Sequence, residues 1–96
     1  MRVSTFVFTK GVRENTLENK EFNGFVYNSL HRFQCGDWGD CCEEDAMLND
    51  TALSTGERIV AVYESEHSPE GKLWIIADAT DEYGKRVVTV LFPSEY

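Results

Sequence analysis

Four residues that can ligate a metal lie close together in the first half of the chain. His31 is followed one helical turn later by Cys35, and Cys41 and Cys42 come after a short glycine-containing segment. Imidazole nitrogen and cysteine sulfur are ligands that zinc prefers, and a structural zinc site takes four ligands in a tetrahedral arrangement. The spacing therefore predicts a zinc site built from His31, Cys35 and Cys41, with Cys42 or Asp37 as the fourth ligand.

The same thiols have a simpler interpretation. The sequence has no C-x2-C pair, and adjacent side chains in a helix point about 100° apart, so Cys41 and Cys42 seldom bind one ion. Three cysteines are an odd number, which suits reduced thiols better than a disulfide framework. Cys35 and Cys42 as buried apolar thiols therefore remain an alternative to metal ligands.

Cysteine catalysis is a third interpretation of this segment. His31 stands one turn before Cys35, as a general base beside a nucleophile would, but acidic neighbours raise the pKa of a thiol and disfavour the thiolate. The chain has no glycine-rich phosphate loop, no H-E-x-x-H helix and no G-x-S-x-G elbow. We therefore expect a protein that is not an enzyme, with a small thiol or metal enzyme as an alternative.

Acidic residues crowd the same part of the chain. No Lys or Arg occurs from Phe33 to Gly56, and helix capping explains only part of the negative charge. An aromatic residue between acids suits a surface that binds Lys and Arg side chains of another protein. The predicted partner-binding residues are Asp37, Trp38, Asp40, Glu43 and Glu44.

Length and charge narrow the class of protein. The 96 residues, 42% of them hydrophobic, suit a single domain over residues 1–96. The net charge of -8 leaves no surface to neutralise phosphates, so we expect no direct nucleic-acid binding and a partner protein with a basic surface. The chain has no signal-peptide pattern and no apolar run near the roughly 20 residues that span a bilayer, which predicts a cytoplasmic protein without membrane contact.

Two helices must position these residues. Apolar residues recur at helical spacing from Lys20 to Gln34, and Asn19 can cap this helix. A second helix is predicted from Cys41 to Ser54, stopped by Gly56. The residues expected on its buried face are Leu48, Ala52 and Leu53.

The remaining elements are predicted to be strands. Residues 3–9, 58–64, 73–79 and 86–92 are rich in β-branched and aromatic residues, whereas residues 11–19 predict a loop with one helical turn. Alternation places Trp74 and Ile76 on one face of the sheet, and Leu73 and Ile75 on the other. The predicted fold class is α+β, an antiparallel β-meander of three to four strands packed against two helices, which cover one face of the sheet.

Several sequence motifs carry a family resemblance. The string GDWGD at residues 36–40 is followed by Cys42-Glu43-Glu44-Asp45 and Asn49-Asp50, and TVLFPSEY stands at residues 89–96. The chain resembles a family of small plasmid- and phage-borne bacterial proteins that are labelled plasmid-related proteins or type I restriction subunits. That family has no established reaction, and this chain is too short for the cofactor fold of a methyltransferase. Because the family does not generally share Cys35 and Cys41, a metal site would belong to this branch alone.

The resemblance implies a protein encoded by a mobile genetic element. Small size and acidity are similar to the profile of anti-CRISPR and anti-restriction proteins. The predicted function is therefore inhibition of a bacterial defence nuclease, by binding to the basic surface of a type II CRISPR effector in the host cytoplasm, with zinc as a stabilising cofactor. A plasmid maintenance or regulatory module that binds another protein is the alternative.

Overall fold

A computed structural model describes all 96 residues of the chain. Its three α-helices and four strands form an α+β fold, as predicted. The elements are β1 (Val3–Phe8), α1 (Lys10–Glu18), α2 (Lys20–Gln34), α3 (Glu43–Thr55), β2 (Ile59–Glu64), β3 (Lys72–Ala77), β4 (Arg86–Leu91) and a short 3-10 helix (Pro93–Glu95).

The four strands form one mixed sheet in the order β1-β4-β3-β2. Strands β2, β3 and β4 are the predicted antiparallel meander, with Ile75 opposite Ala61 on one side and Val90 on the other. Strand β1 differs from the prediction, because it pairs with β4 in parallel. A parallel pair cannot be joined by a hairpin, and here the helices and the other two strands supply the long connection that it needs.

The first two helices lie on one face of the sheet, and only α2 follows the prediction. Its bounds match, and its N-terminal cap is the Asn19 side chain, which accepts a hydrogen bond of 3.0 Å from the Phe22 N–H. The loop predicted over residues 11–19 is wrong, because α1 is helical from Lys10 to Glu18. A single buried residue, Val12, holds α1 in the core. None of the helices combines the length and the apolar character that a membrane span requires.

The two faces of the sheet are buried to different extents. Leu73 and Ile75 are fully buried under the helices, whereas Trp74 on the opposite face is half-buried. The Trp74 ring packs edge-on against Tyr96, with 5.4 Å between ring centroids. The predicted alternation along β3 is confirmed, and the C-terminal residues shield part of the outer face.

The third helix packs differently from the prediction. Helix α3 runs from Glu43 to Thr55 and is stopped, as predicted, by Gly56, whose φ of +85° is left-handed. Ala52 is buried as expected, but Leu48 is 67% exposed and Leu53 is 40% exposed. The reason is that α3 lies along the outer edge of β2, where Asn49 turns inward to bond the strand's backbone.

Candidate partner-binding site

The GDWGD segment follows the outer edge of β2 and hydrogen-bonds to it. The Trp38 carbonyl accepts from the Val62 N–H at 3.3 Å, and the Asp40 N–H donates to the Val62 carbonyl at 2.6 Å. The Asp40 carboxylate accepts from the Glu64 N–H at 2.9 Å. Asp40, predicted to face a partner, is therefore engaged in closing the edge of the sheet.

Asp37 is also engaged within the molecule. Its carboxylate accepts two hydrogen bonds from the Arg32 guanidinium, at 2.8 and 3.2 Å, and one from the Gly39 N–H at 3.0 Å. The bond from Arg32 is the main reason why the pKa of Asp37 is lowered. Arg32 lies over the Tyr63 ring, whose hydroxyl donates to the Asp37 carbonyl at 2.7 Å. Much of the charge of Asp37 is thus compensated before any partner arrives.

Gly39 allows this segment to approach the strand. Its φ of +79° is left-handed, and a Cβ there would overlap the Val62 carbonyl oxygen and lie 2.6 Å from the Tyr63 ring. Any other residue would push the segment away from β2 and break the bonds to Val62. The second glycine of the motif is therefore required by packing.

Trp38 belongs to the core and not to a binding surface. Its side chain is 4% exposed and packs edge-on against Phe33, with 5.3 Å between ring centroids. The indole N–H donates to the Asp50 carboxylate at 2.8 Å, which gives the one polar atom of the ring a partner. The prediction that Trp38 faces a partner is wrong, because the buried ring packs in the core and holds the turn in place.

Asn49 completes the closure of the β2 edge. Its side-chain amide donates to the Val60 carbonyl at 2.8 Å and accepts from the Val60 N–H at 3.3 Å, and the residue is 6% exposed. Together with residues 37–40 it forms what we call the strand cover. The cover supplies partners to backbone groups that an edge strand normally leaves open.

The C-terminal end of α3 is held by a buried arginine. Arg86, which is 3% exposed, donates to the carbonyls of Ala52, Asp78 and Glu57 at 2.9, 3.0 and 2.5 Å. Burial lowers the pKa of its guanidinium. One of these acceptors, the Ala52 carbonyl, lies in the last turn of α3, so Arg86 ties the C-terminal end of α3 to the sheet.

The predicted metal ligands are only partly brought together. The Nε2 atom of His31 lies 3.8 Å from the Sγ atom of Cys35, but no three His, Cys, Asp or Glu residues are arranged to hold a metal ion. The zinc site therefore stays a prediction. Cys35 and Cys42 are exposed, so their interpretation as buried thiols is wrong, and Cys41 is half-buried. Burial and the charge of Asp45 raise the pKa of Cys41.

The outward side of α3 is exposed and forms no ion pair. Glu43 and Glu44 are exposed, and the ion pairs of the molecule all lie outside this helix. Met47 and Leu48 are 64% and 67% exposed beside them. A shallow groove there is lined by Glu44, Met47, Leu48 and Thr51. We call these four residues and Glu43 the α3 face.

Sequence reasoning found the two acids of the α3 face but missed its apolar part. Met47 is three residues after Glu44, and Leu48 is four, which places them on one side of a helix. Asn49 and Ala52 mark the inward side of α3, and Leu48, one turn before Ala52, lies at the margin between that side and the exposed one. No protein-family model, curated protein or solved structure matches this chain.

Proposed function

We propose that this protein is a non-enzymatic module whose α3 face docks on a basic, partly apolar surface of another protein. The observation that carries the proposal is the α3 face itself, where two large apolar side chains stand exposed beside carboxylates that have no ion-pair partner. Apolar groups give a docked surface its affinity, and unpaired charges give it orientation and partner choice.

The charge distribution supports a basic partner. The chain carries a net charge of -8, and no Lys or Arg occurs from Phe33 to Glu57. The Asp37 carboxylate is paired with Arg32, and the Asp40 carboxylate is bonded to the Glu64 N–H. The exposed acids of this corner without an ion pair therefore include Glu43, Glu44 and Asp45. Such a field attracts a positively charged protein and speeds its association at low salt.

The partner that we propose is a bacterial defence nuclease, with a type II CRISPR effector as the specific case. Such effectors hold nucleic acid in a positively charged channel, which has the chemistry that the α3 face fits. The resemblance to plasmid- and phage-borne proteins supports this choice, because a mobile element benefits from blocking such an enzyme. The inhibitor acts in the host cytoplasm by occupying the basic surface and does not itself bind nucleic acid.

A thiol enzyme receives less support from the geometry. The raised pKa of Cys41 favours its unreactive protonated form. Cys35 does contact His31, at 3.8 Å. A catalytic base also needs a third group that orients it, and the His31 imidazole has its side-chain hydrogen-bonding contact with Cys35 itself. Binding is therefore the function that we propose.

The test is a reconstituted DNA-cleavage assay with a panel of type II CRISPR effector complexes. We expect the protein to bind at least one of them and to inhibit cleavage, with an association rate that falls as salt rises. The double variant Glu43→Lys with Glu44→Lys should lose both effects. The matched control is Glu66→Lys with Glu82→Lys, which makes the same change in net charge at two exposed acids away from α3.

Thermal unfolding of both double variants separates lost binding from a damaged helix. Acids in the first turn of a helix contribute about 0.3–1 kcal/mol each, so a modest fall in melting temperature is expected of the test variant alone. Equal inhibition by the two double variants would place the contact away from the α3 face. Absence of binding to every effector in the panel would remove the nuclease from the proposal.

A further inference from the structure

The two outer edges of the sheet are treated differently. The β2 edge is closed by the strand cover, whereas β1 is the other edge strand and pairs only with β4. Strand β1 has the sequence VSTFVF, which contains no charged residue, and its four central residues are all exposed. Natural edge strands are usually blocked by charge, proline, a bulge or a covering segment, and β1 has none of these from Thr5 to Phe8; its one register irregularity lies between Val3 and Thr5.

The backbone of β1 offers hydrogen-bonding groups outward. Thr9 donates its N–H to the Val90 carbonyl, and the register with β4 is regular from Thr5 to Phe8. Because backbone groups in a strand alternate between its two sides, the N–H and C=O of Phe6 point away from β4. A second strand can therefore hydrogen-bond to β1 without disturbing the sheet.

The side chains beside this edge form an apolar groove. Phe6 and Phe8 face α2, and together with Tyr27, Leu30, His31 and Gln34 they line a groove of about 300 Å³. Phe6 is 39% exposed and Tyr27 is 60% exposed. A strand that pairs with β1 would place alternate side chains in this groove.

We propose that the strand that pairs with β1 is β1 of a second copy, in an antiparallel arrangement about a two-fold axis. Because side chains alternate along β1, Phe6 and Phe8 lie on the same face as the groove. In the dimer, these two apolar side chains of each copy lie beside the groove of the other copy. The absence of charge in β1 lets two strongly acidic chains approach here. The two copies then form one continuous eight-stranded sheet.

The acids of α3 lie far from this edge. Helix α3 packs against β2 at the opposite edge of the sheet, whereas Glu95, an acid beside the end of β1, is engaged in hydrogen bonds from Thr9 and Gly11. Joining two copies through β1 leaves the two β2 strands roughly 34 Å apart, at about 4.8 Å per strand. That separation exceeds the Debye length of about 8 Å several times, so the acidic α3 helices do not repel each other across the dimer.

The experiment measures mass and amide exchange over a range of protein concentrations. Sedimentation equilibrium should give twice the 11.0 kDa mass of the chain as concentration rises. Phe6→Lys places like charges across the two-fold axis and should return the mass to that of the monomer. The matched control Leu48→Lys changes an apolar side chain of α3 that is 67% exposed and should leave the dimer intact.

Hydrogen exchange of the unaltered protein keeps the test independent of any variant. The Phe6 amide should be protected at high concentration and should exchange freely on dilution. A protein that is monomeric up to millimolar concentration, with a freely exchanging Phe6 amide, would overturn the proposal and leave the groove to a different strand. A dimer that survives Phe6→Lys would also overturn it. Neither outcome bears on binding by the α3 face, which does not include β1.

Discussion

Replacing Asn49 with alanine tests whether the strand cover is a structural device. The substitution removes both hydrogen bonds to Val60, at 2.8 and 3.3 Å, from a residue that is 6% exposed. A buried backbone group left without a partner costs about 1–3 kcal/mol. Val60 itself is half-buried, so water reaches part of the site and the lower half of that range, about 1–2 kcal/mol, applies to each group. Because both the N–H and the C=O of Val60 lose their partner, we expect a loss of about 2–4 kcal/mol in the free energy of unfolding.

That loss is large for a domain of this size. Small domains have total stabilities of about 5–15 kcal/mol, and each kcal/mol shifts the melting temperature by about 4–8 °C. Urea unfolding followed by tryptophan fluorescence measures the change, and amide exchange of Val60 locates it. The control Asn28→Ala removes an exposed amide from α2 and should change the free energy of unfolding by less than about 0.5 kcal/mol.

Asn49→Asp sharpens the same test. The carboxylate keeps an acceptor for the Val60 N–H but faces the Val60 carbonyl without a proton to donate. We expect this variant to be as unstable as the alanine variant at neutral pH and to recover partly in acid, where the protonated carboxyl can donate. An alanine variant as stable as the unaltered protein, with the Val60 amide still protected, would refute the role of Asn49 in the strand cover.

Three further predictions concern the pKa of Asp37, the burial of Trp74 and the zinc site. The hydrogen bond from Arg32 lowers the pKa of Asp37 below its ordinary value of 3.8. The stability that the Asp37 carboxylate contributes is therefore present above pH 3.8 and is lost as the pH falls through the lower pKa of the folded state. In a titration of melting temperature against pH, Asp37→Asn should remove this acid-induced fall. Trp74→Ala should cost about 1–3 kcal/mol in urea unfolding, below the 3–5 kcal/mol of a fully buried aromatic, because the ring is half-buried; a cost above that range would contradict its placement. If zinc binds, protein purified without chelator should contain about one zinc per chain by elemental analysis, and Cys35→Ser or Cys41→Ser should lower metal content and melting temperature together; metal-free protein that is indifferent to chelator would contradict the site.

Helix α2 shows where sequence reasoning works. Its apolar residues repeat with the helical period, Asn19 caps its first turn, and the predicted range of about Lys20 to Gln34 agrees with the structure. Gly56 was predicted as the stop of α3 for the same kind of local reason, since a left-handed residue suits glycine. Periodicity and end signals are properties of a short stretch of chain, so they can be interpreted without knowing the fold.

Helix α1 and the inward side of α3 show where it fails. Val12 is the one buried residue of α1, and a single buried position has no period to detect. In α3 the buried positions are Asn49 and Ala52, whereas Leu48 is exposed. A rule that turns leucine inward and asparagine outward finds Ala52 but misses Asn49. It also buries Leu48 and Leu53, which lie at the two margins of the inward side. Only the position of the open β2 edge explains why an amide is needed there.

The acidic turn at residues 36–40 shows the same limit of local sequence. Asp37, Trp38 and Asp40 look like a binding surface when the turn is considered alone. In the fold, the Trp38 ring enters the core and both carboxylates accept backbone hydrogen bonds. The turn lies against β2 through contacts such as the hydrogen bond between Asp40 and Glu64, which are 24 residues apart. The sequence of the turn alone does not show which strand it will contact. The free acids of α3 are what remains of the predicted surface.

The parallel pairing of β1 with β4 sets an order for folding. Ser4 and Arg86, which are hydrogen-bonded at this pair, are 82 residues apart in sequence, whereas β2, β3 and β4 are joined by short turns. Closing the longer loop costs more conformational entropy, so the meander can form first and β1 joins a surface that already exists. During synthesis on the ribosome, β1 is made before any of the strands beside which it belongs. The backbone of β1 therefore cannot form its native pairing until β4 has been synthesised.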